Sequence, residues 1–238
     1  MIETADVARL MRVLDESSAR LSESYERIAG LERALAQRSR LEMLGRLAAT
    51  LAHEIRNPLG GIGLYAAMMK RDHPGARETC DRILGAVADL DRLVDDMLVY
   101  GREAEPIRLA GELEPVIDRA LALAGVACER RYELRRPVKC DAMMMGRVFL
   151  NLARNAQGTL TVETRAEGGH ARVVFRDDGP GFAPDVLPRL FTPFFTTRAQ
   201  GTGLGLAIAR KIVEAHGGTI AAANAHPRGA EFAIALPL

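Results

Sequence analysis

The chain has 238 residues, 48% of them hydrophobic and 26% charged, which are ordinary values for a folded protein and exclude wholesale disorder. Thirty-two basic residues against thirty-one acidic leave a net charge of +1, so no field is set up for nucleic acid or an anionic membrane. Cys80, Cys128 and Cys140 lie far apart with no CxxC, which excludes a zinc motif or disulfide framework. The N-terminus lacks the apolar core of a signal peptide, and the longest apolar run is far short of the ~20 residues of a membrane span. A cytoplasmic protein is expected, with no membrane span and no nucleic-acid partner.

Residues 1–40 repeat Leu14, Leu21, Ile28 and Leu35 every seven positions, with Ser17, Ser24 and Arg38 on the other seam. That pattern predicts a weak N-terminal coiled coil. The register shifts at Leu41, after which Leu44, Ala48, Leu51, Ile55 and Ile62 form a new stripe. The stretch 72–77 (DHPGAR) is a turn, and Ile83, Val87, Leu90, Val94 and Met97 mark a second helix. Two long helices with one apolar stripe each cannot bury both stripes as an isolated hairpin. A homodimeric four-helix bundle from residues 41–104 is the natural solution.

Composition changes near Gly101–Pro106, and nine of the eleven prolines follow it. Residues 105–238 read as helix 112–127, strand 132–139, helix 141–157, and strands 159–165 and 171–177. A Gly/Pro loop comes next, then helix 203–216 and strands 219–223 and 231–236. The prediction is α+β: a helical hairpin followed by an α/β sandwich with a mixed sheet covered on one face.

Two residues from Leu51 and from Ile55, His53 is rotated by roughly 160–200° from that seam and points to solvent. A lone helical histidine is ordinarily bland. Glu54 beside it, Asn57 one turn along and the helix-loosening Pro58 turn the segment into a candidate nucleophile site. Asn151 and Asn155 share one helix face at i, i+4 spacing, where neutral amide oxygens suit Mg²⁺. Asp177 opens DDGPGF at a strand end, placed to accept from an exocyclic amine, although DG and PG are also common turn pairs. Gly201, Gly203 and Gly205 precede a helix, where free N–H groups attract phosphate. No strand leads into these glycines and GxxxxGK[ST] is absent, so neither a Rossmann unit nor a P-loop is present.

In this order the segments resemble the histidine protein kinases of two-component signalling, over residues 40–238. HEIRNPL is similar to that family's H-box, NLARNA to its N-box, DDGPGF and GTGLGL to its two glycine boxes, and FTPFFTT to its F-box. HEIRNPLGGI is further similar to nitrogen-regulation and flagellar-regulation kinases. The resemblance implies ATP-dependent autophosphorylation of His53, with Glu54 as base, and transfer to an Asp of a response-regulator receiver domain. It implies that Asn57 positions the water for dephosphorylating that partner. It further implies that Asn155 binds Mg²⁺ with Asn151 in support, and that Asp177 holds adenine. Gly179, Gly181, Thr202, Gly203, Leu204 and Gly205 would then shape the ATP site. The fold implied is a dimeric hairpin joined to a gyrase- and chaperone-type ATP-binding domain.

Two departures stand out. The N-box helix meets Gly158 early and the lid between Phe182 and Gly201 is short, which predicts a pocket lacking one wall and weak ATP binding, unless Arg154 or Arg198 substitutes. A histidine phosphotransfer or scaffold protein with a weakened ATP domain is the alternative these departures keep open. His216, before Gly217–Gly218, reads as a helix cap.

Overall fold

The computed structural model describes residues 52, 54–102, 105–198 and 201–238, and all of them belong to one compact unit. The predicted coiled coil, His53 and the early positions of the first stripe lie outside the described residues. Helix α1 covers residues 54–72 and runs through Pro58 without a break. After a 3-10 turn at Pro74–Ala76 the chain reverses into α2, Arg77–Gly101. The two helices lie antiparallel, with Arg56 paired to Asp95 at one end and Lys70 to Asp81 at the other.

Between the helices a second apolar line closes, beside the stripes expected to face a bundle partner. Ala52, Leu59 and Ala66 are buried at heptad spacing, and Cys80 and Val94 answer them from α2. The predicted seam residues Ile55, Ile62, Ile83 and Leu90 are exposed. Each helix therefore carries two apolar faces, one closed within the hairpin and one open. Small residues can fill the inner line because two helices alone approach closely there.

The remaining elements are β1 (Leu109–Gly111), α3 (Glu114–Ala124), β2 (Cys128–Tyr132), β3 (Val138–Cys140) and α4 (Ala142–Asn155). They continue with β4 (Leu160–Glu167), β5 (His170–Asp177), α5 (Gly205–Ala215), β6 (Thr219–Asn224) and β7 (Ala230–Pro237). A five-stranded sheet has the order β2-β4-β5-β7-β6, parallel only between β2 and β4. The α+β expectation, with a mixed sheet under helices, holds. The single strand predicted over 132–139 is instead two: β2 joins the main sheet and β3 pairs antiparallel with β1. Pro137, which lacks an N–H and constrains the residue before it, separates them.

Alternation writes the core. Leu160, Val162 and Thr164 of β4, Ala171, Val173 and Phe175 of β5, and Phe232, Ile234 and Leu236 of β7 are buried at every second position. On α4, Met145, Val148, Phe149, Leu152 and Ala153 repeat at helical spacing and are all buried. Phe149 stacks on Phe175 with centroids 5.9 Å apart, and burying one such ring contributes about 1.5–3 kcal/mol. The β4–β5 hairpin turns on Gly168 and Gly169, at φ +57° and +79°, the two left-handed residues that a two-residue hairpin needs. This core fixes the ends of α4, β5 and α5, and the functional candidates sit at those ends.

Candidate functional site

Helix α4 starts on a strong cap. Asp141 Oδ1 accepts from the N–H groups of Met143 and Met144, both at 3.0 Å, and Oδ2 accepts from Ile107 N at 3.2 Å. Burial alone would raise the Asp141 carboxyl, but these backbone donors hold it below the usual carboxylate range. Two turns on, Asn151 and Asn155 share a face as predicted. Asn151 Nδ2 donates to Gly205 O at 2.9 Å, tying α4 to the start of α5. The side-chain amide of Asn155 makes no hydrogen bond among the described residues. Helix α4 ends at Asn155, two residues before the predicted end, because Ala156 takes an extended ψ of 142°.

Beyond Asn155 the lid supplies the stop. The Arg198 guanidinium donates to Arg154 O at 2.8 Å and to Asn155 O, so a cation closes the open carbonyls and dipole of the α4 C-terminus. Arg198 is thus engaged with backbone, and Arg154, without such a partner, faces the cleft. This arginine cap was invisible as a local motif, since 43 residues separate donor from acceptor.

Asp177 ends β5, buried at 6% exposure. Its Oδ1 accepts from Gly179 N at 3.0 Å and Ala230 N at 3.2 Å, which folds the DDGPGF loop back over β7. Asn224, unsuspected from sequence, pins the same loop by accepting from Phe182 N at 2.7 Å and donating to Phe182 O at 2.9 Å. In the glycine-rich loop, Gly203 has φ +68°, and a Cβ there would lie 2.4 Å from the Phe194 carbonyl carbon. Only glycine fits between the F-box backbone and α5. Thr202 Oγ1 accepts from Leu204 N at 3.3 Å, and the Leu204 side chain is fully buried in the core rather than in the site.

One cleft of about 780 Å³, a size that suits a ligand, gathers these ends. Asn151, Asn155, Gly181, Thr202, Gly203 and Gly205 line it, as does Gly201. Asp177, Gly179 and Leu204 stand outside its lining and shape it from behind. The N-box helix is short as predicted, and on one side of the cleft α2 supplies lining through Asp89, Arg92 and Asp96. Sequence reasoning could not find this lining, which comes from the other half of the chain. Asp96 is buried and accepts from Arg147 Nη2 at 2.6 Å and from Thr202 Oγ1 at 3.4 Å. Burial, then the nearby positive charge of Arg92, pull the Arg154 guanidinium below its usual range, and Asp96 opposes them.

On α1, Glu54 and Asn57 are both exposed, one turn apart. Their neighbour His53 lies outside the described residues. No cluster of His, Cys, Asp and Glu that could cage a metal occurs among the described residues. The cleft instead offers the free amide of Asn155, a donor set that fits a hydrated Mg²⁺ held mainly by phosphates. Among the described residues no helix is long and apolar enough to cross a membrane.

Two family models match the chain. The His Kinase A (phospho-acceptor) domain covers residues 43–106, and the Histidine kinase-, DNA gyrase B-, and HSP90-like ATPase covers residues 140–238. The Sensor histidine kinase ZraS of Salmonella typhi is 38% identical over 224 residues, covering 86% of this chain and 48% of that protein. The chain therefore spans about half the length of the curated relatives it matches. Full-length ShkA in complex with AMPPNP superposes with a TM-score of 0.68 at 26% identity, covering 82% of this chain and 46% of that one. Histidine kinase ThkA in complex with response regulator protein TrrA gives a TM-score of 0.61 at 27% identity, covering 84% of this chain and 63% of that one.

Proposed function

The chain belongs to the sensor histidine kinases of two-component signalling, and from that premise we propose that it moves the γ-phosphate of ATP to His53 and then to an aspartate of a response-regulator receiver domain. The observation that carries this reading is the convergence of Asn151, Asn155 and the Thr202–Gly205 loop in one nucleotide-sized cleft beside the hairpin.

In the first step the His53 imidazole attacks the γ-phosphorus while the bond to the β,γ-bridging oxygen breaks and ADP leaves. The ring proton passes to Glu54, its exposed neighbour. In the second step the phosphoryl group moves from the imidazole to a receiver carboxylate, regenerating neutral His53. Asn57, one turn along α1, holds the water that later hydrolyses the phosphorylated partner. The protein's work is positioning, with little covalent chemistry of its own. Asn155 holds Mg²⁺ with Asn151 in support, and the bound ion supplies charge neutralisation on the phosphates. Asp177 orients the adenine amine from behind the cleft, and the N–H groups leading into α5 face the phosphates.

The open faces of α1 and α2, with Ile55, Ile62, Ile83 and Leu90 exposed, fit a second copy in a four-helix bundle. We divide the chain accordingly into an N-terminal coiled coil at 1–40, a phosphoacceptor and dimerisation hairpin at 41–104, and an ATP-binding domain at 105–238.

Incubation with γ-labelled ATP and Mg²⁺, followed by addition of a receiver domain, tests the reading. The protein should take up an acid-labile, base-stable label and surrender it to the receiver. A protein that binds ATP but never acquires such a label contradicts the proposal.

A further inference from the structure

Helix α2 presents Asp89, Arg92 and Asp96 to the cleft at i, i+3 and i+7, a single helix face. Asp89 and Arg92 pair with each other at 3.0 Å. Asp96 behaves differently. It is 7% exposed, and its two oxygens reach two separate elements of the ATP-binding half: Arg147 on α4 and Thr202 in the glycine-rich loop. Arg147 lies one turn before Asn151 on the face that continues to Asn155. A single carboxylate therefore ties the hairpin to the nucleotide-facing helix and to the loop that would wrap phosphate. Lys211 of α5 reinforces the junction, donating to Tyr100 O at 2.6 Å and Arg102 O at 2.7 Å at the end of α2.

Charge decides which way this clasp pushes. The ATP-binding half lines the cleft with two arginines, Arg154 and Arg198. The α2 face adds two carboxylates and one guanidinium, a net negative contribution, and Asp96 holds the half-buried Arg147 in an ion pair. The clasp also occupies the Thr202 hydroxyl, three residues before Gly205 at the start of α5. Both effects oppose a polyanion in the cleft.

We infer that Asp96 is a positioning residue that clamps Arg147 and Thr202 onto the hairpin at once, and that this clasp and a bound nucleoside triphosphate are antagonistic. The inference rests on the nucleotide reading of the cleft. Binding of nucleotide releases the clasp and frees the ATP-binding half from α2, and by linkage the closed clasp weakens nucleotide affinity by the same factor.

The test is calorimetric titration of the full chain with a non-hydrolysable ATP analogue and Mg²⁺. Asp96→Asn, nearly isosteric, and Asp96→Arg, which repels Arg147, should each bind the analogue about fivefold or more tightly than the wild type. Combining Asp96→Arg with Arg147→Asp rebuilds the ion pair with exchanged charges, though not the bond from Thr202, and should return affinity part of the way to the wild-type value. A residue that merely supported the fold would weaken binding when replaced, and the exchanged pair would not reverse a gain. Unchanged or weaker binding in both single variants overturns the inference while leaving the nucleotide reading intact, and so does an exchanged pair that stays tight. Absence of binding by every form, wild type included, overturns the nucleotide reading and the inference with it.

Discussion

In the sheet half, Phe149, Phe175, Ile234 and Leu236 are at most 1% exposed, whereas the hairpin leaves Ile55, Ile62, Leu64, Tyr65, Ile83 and Leu90 between 37% and 72% exposed. Eight of the fourteen large apolar side chains that are exposed among the described residues lie on α1 and α2, although these helices are the smaller part. The difference is one of closure. A sheet with alternating strands, roofed by α3, α4 and α5, closes a core within one chain. Two helices offer each other one face apiece and leave the opposite faces wet. The ATP-binding half should therefore hold its fold alone, and the hairpin should be complete only with a second copy.

The sharpest way to separate the halves is chemical. Asn155→Ala removes the free amide in the cleft and Asp177→Asn removes a charge at the end of β5; each should lower ATP-dependent labelling by about a hundredfold or more. Mixed with a His53→Gln subunit, either variant should still be labelled if dimers exchange and one subunit can serve the other. Labelling rates measured on each variant alone and on the mixture decide both points.

The hairpin face can be broken without touching the cleft. Ile62→Glu with Leu90→Glu should give a monomer by light scattering at micromolar concentration, while calorimetry still registers nucleotide binding. Removing residues 1–36 should leave a dimer with altered kinase activity, since the bundle faces are far more apolar than the N-terminal heptads. Monomers after that deletion would move the main dimer contact into residues 1–36.

Stability of the sheet half hangs on a few buried polar links. His216 is 3% exposed; Nδ1 donates to Ile212 O at 2.8 Å and Nε2 accepts from Asp141 N at 3.0 Å. It therefore links the end of α5 to the start of α4. His216→Ala should cost about 2–4 kcal/mol in urea unfolding, through two lost hydrogen bonds and a small cavity.

Asn57→Ala is subtler, because its side chain is exposed and its loss should leave the fold intact. Autophosphorylation should survive and dephosphorylation of the partner should fail, read as persistence of labelled receiver. Equal loss of both activities would reduce Asn57 to a helix support. The smallest effect is on acid stability. The Asp141 carboxyl sits below its unfolded value of about 3.9, so its contribution is full above that pH and drains away as pH falls through the lower folded value. Asp141→Asn should flatten that acid limb of the stability curve.

Much of the sheet half was legible because its signals are local: alternation in β4, β5 and β7 and the helical stripe of α4. The strand at 132–139 was misread because Tyr132 and Leu134 before the break and Val138 after it keep one phase, with only Arg136 and Pro137 to mark the interruption. In the hairpin the stripe of Ile55, Ile62, Ile83 and Leu90 was read as one that two helices alone cannot bury, and it is open; the inner line of Ala52, Leu59 and Ala66 was not read. Ile55 and Ile62 are the stronger hydrophobes, but the inner face needs the small Ala52 and Ala66 for close approach, so the larger residues fall on the open face. At the site, Asn151, Asn155 and the glycines were found by spacing. Asp89, Arg92, Asp96 and Asn224 were not, since each meets the site across a long sequence separation, and Arg198 was anticipated as a cation but not as the cap of α4.

The central claim is that His53 receives the γ-phosphate. The most direct measurement is phosphate mapping by mass spectrometry after incubation with γ-labelled ATP and Mg²⁺, comparing wild type with His53→Gln. One acid-labile, base-stable phosphate should map to His53 in the wild type and none in the variant. Undiminished labelling of His53→Gln, or phosphate mapped to another residue, would contradict it.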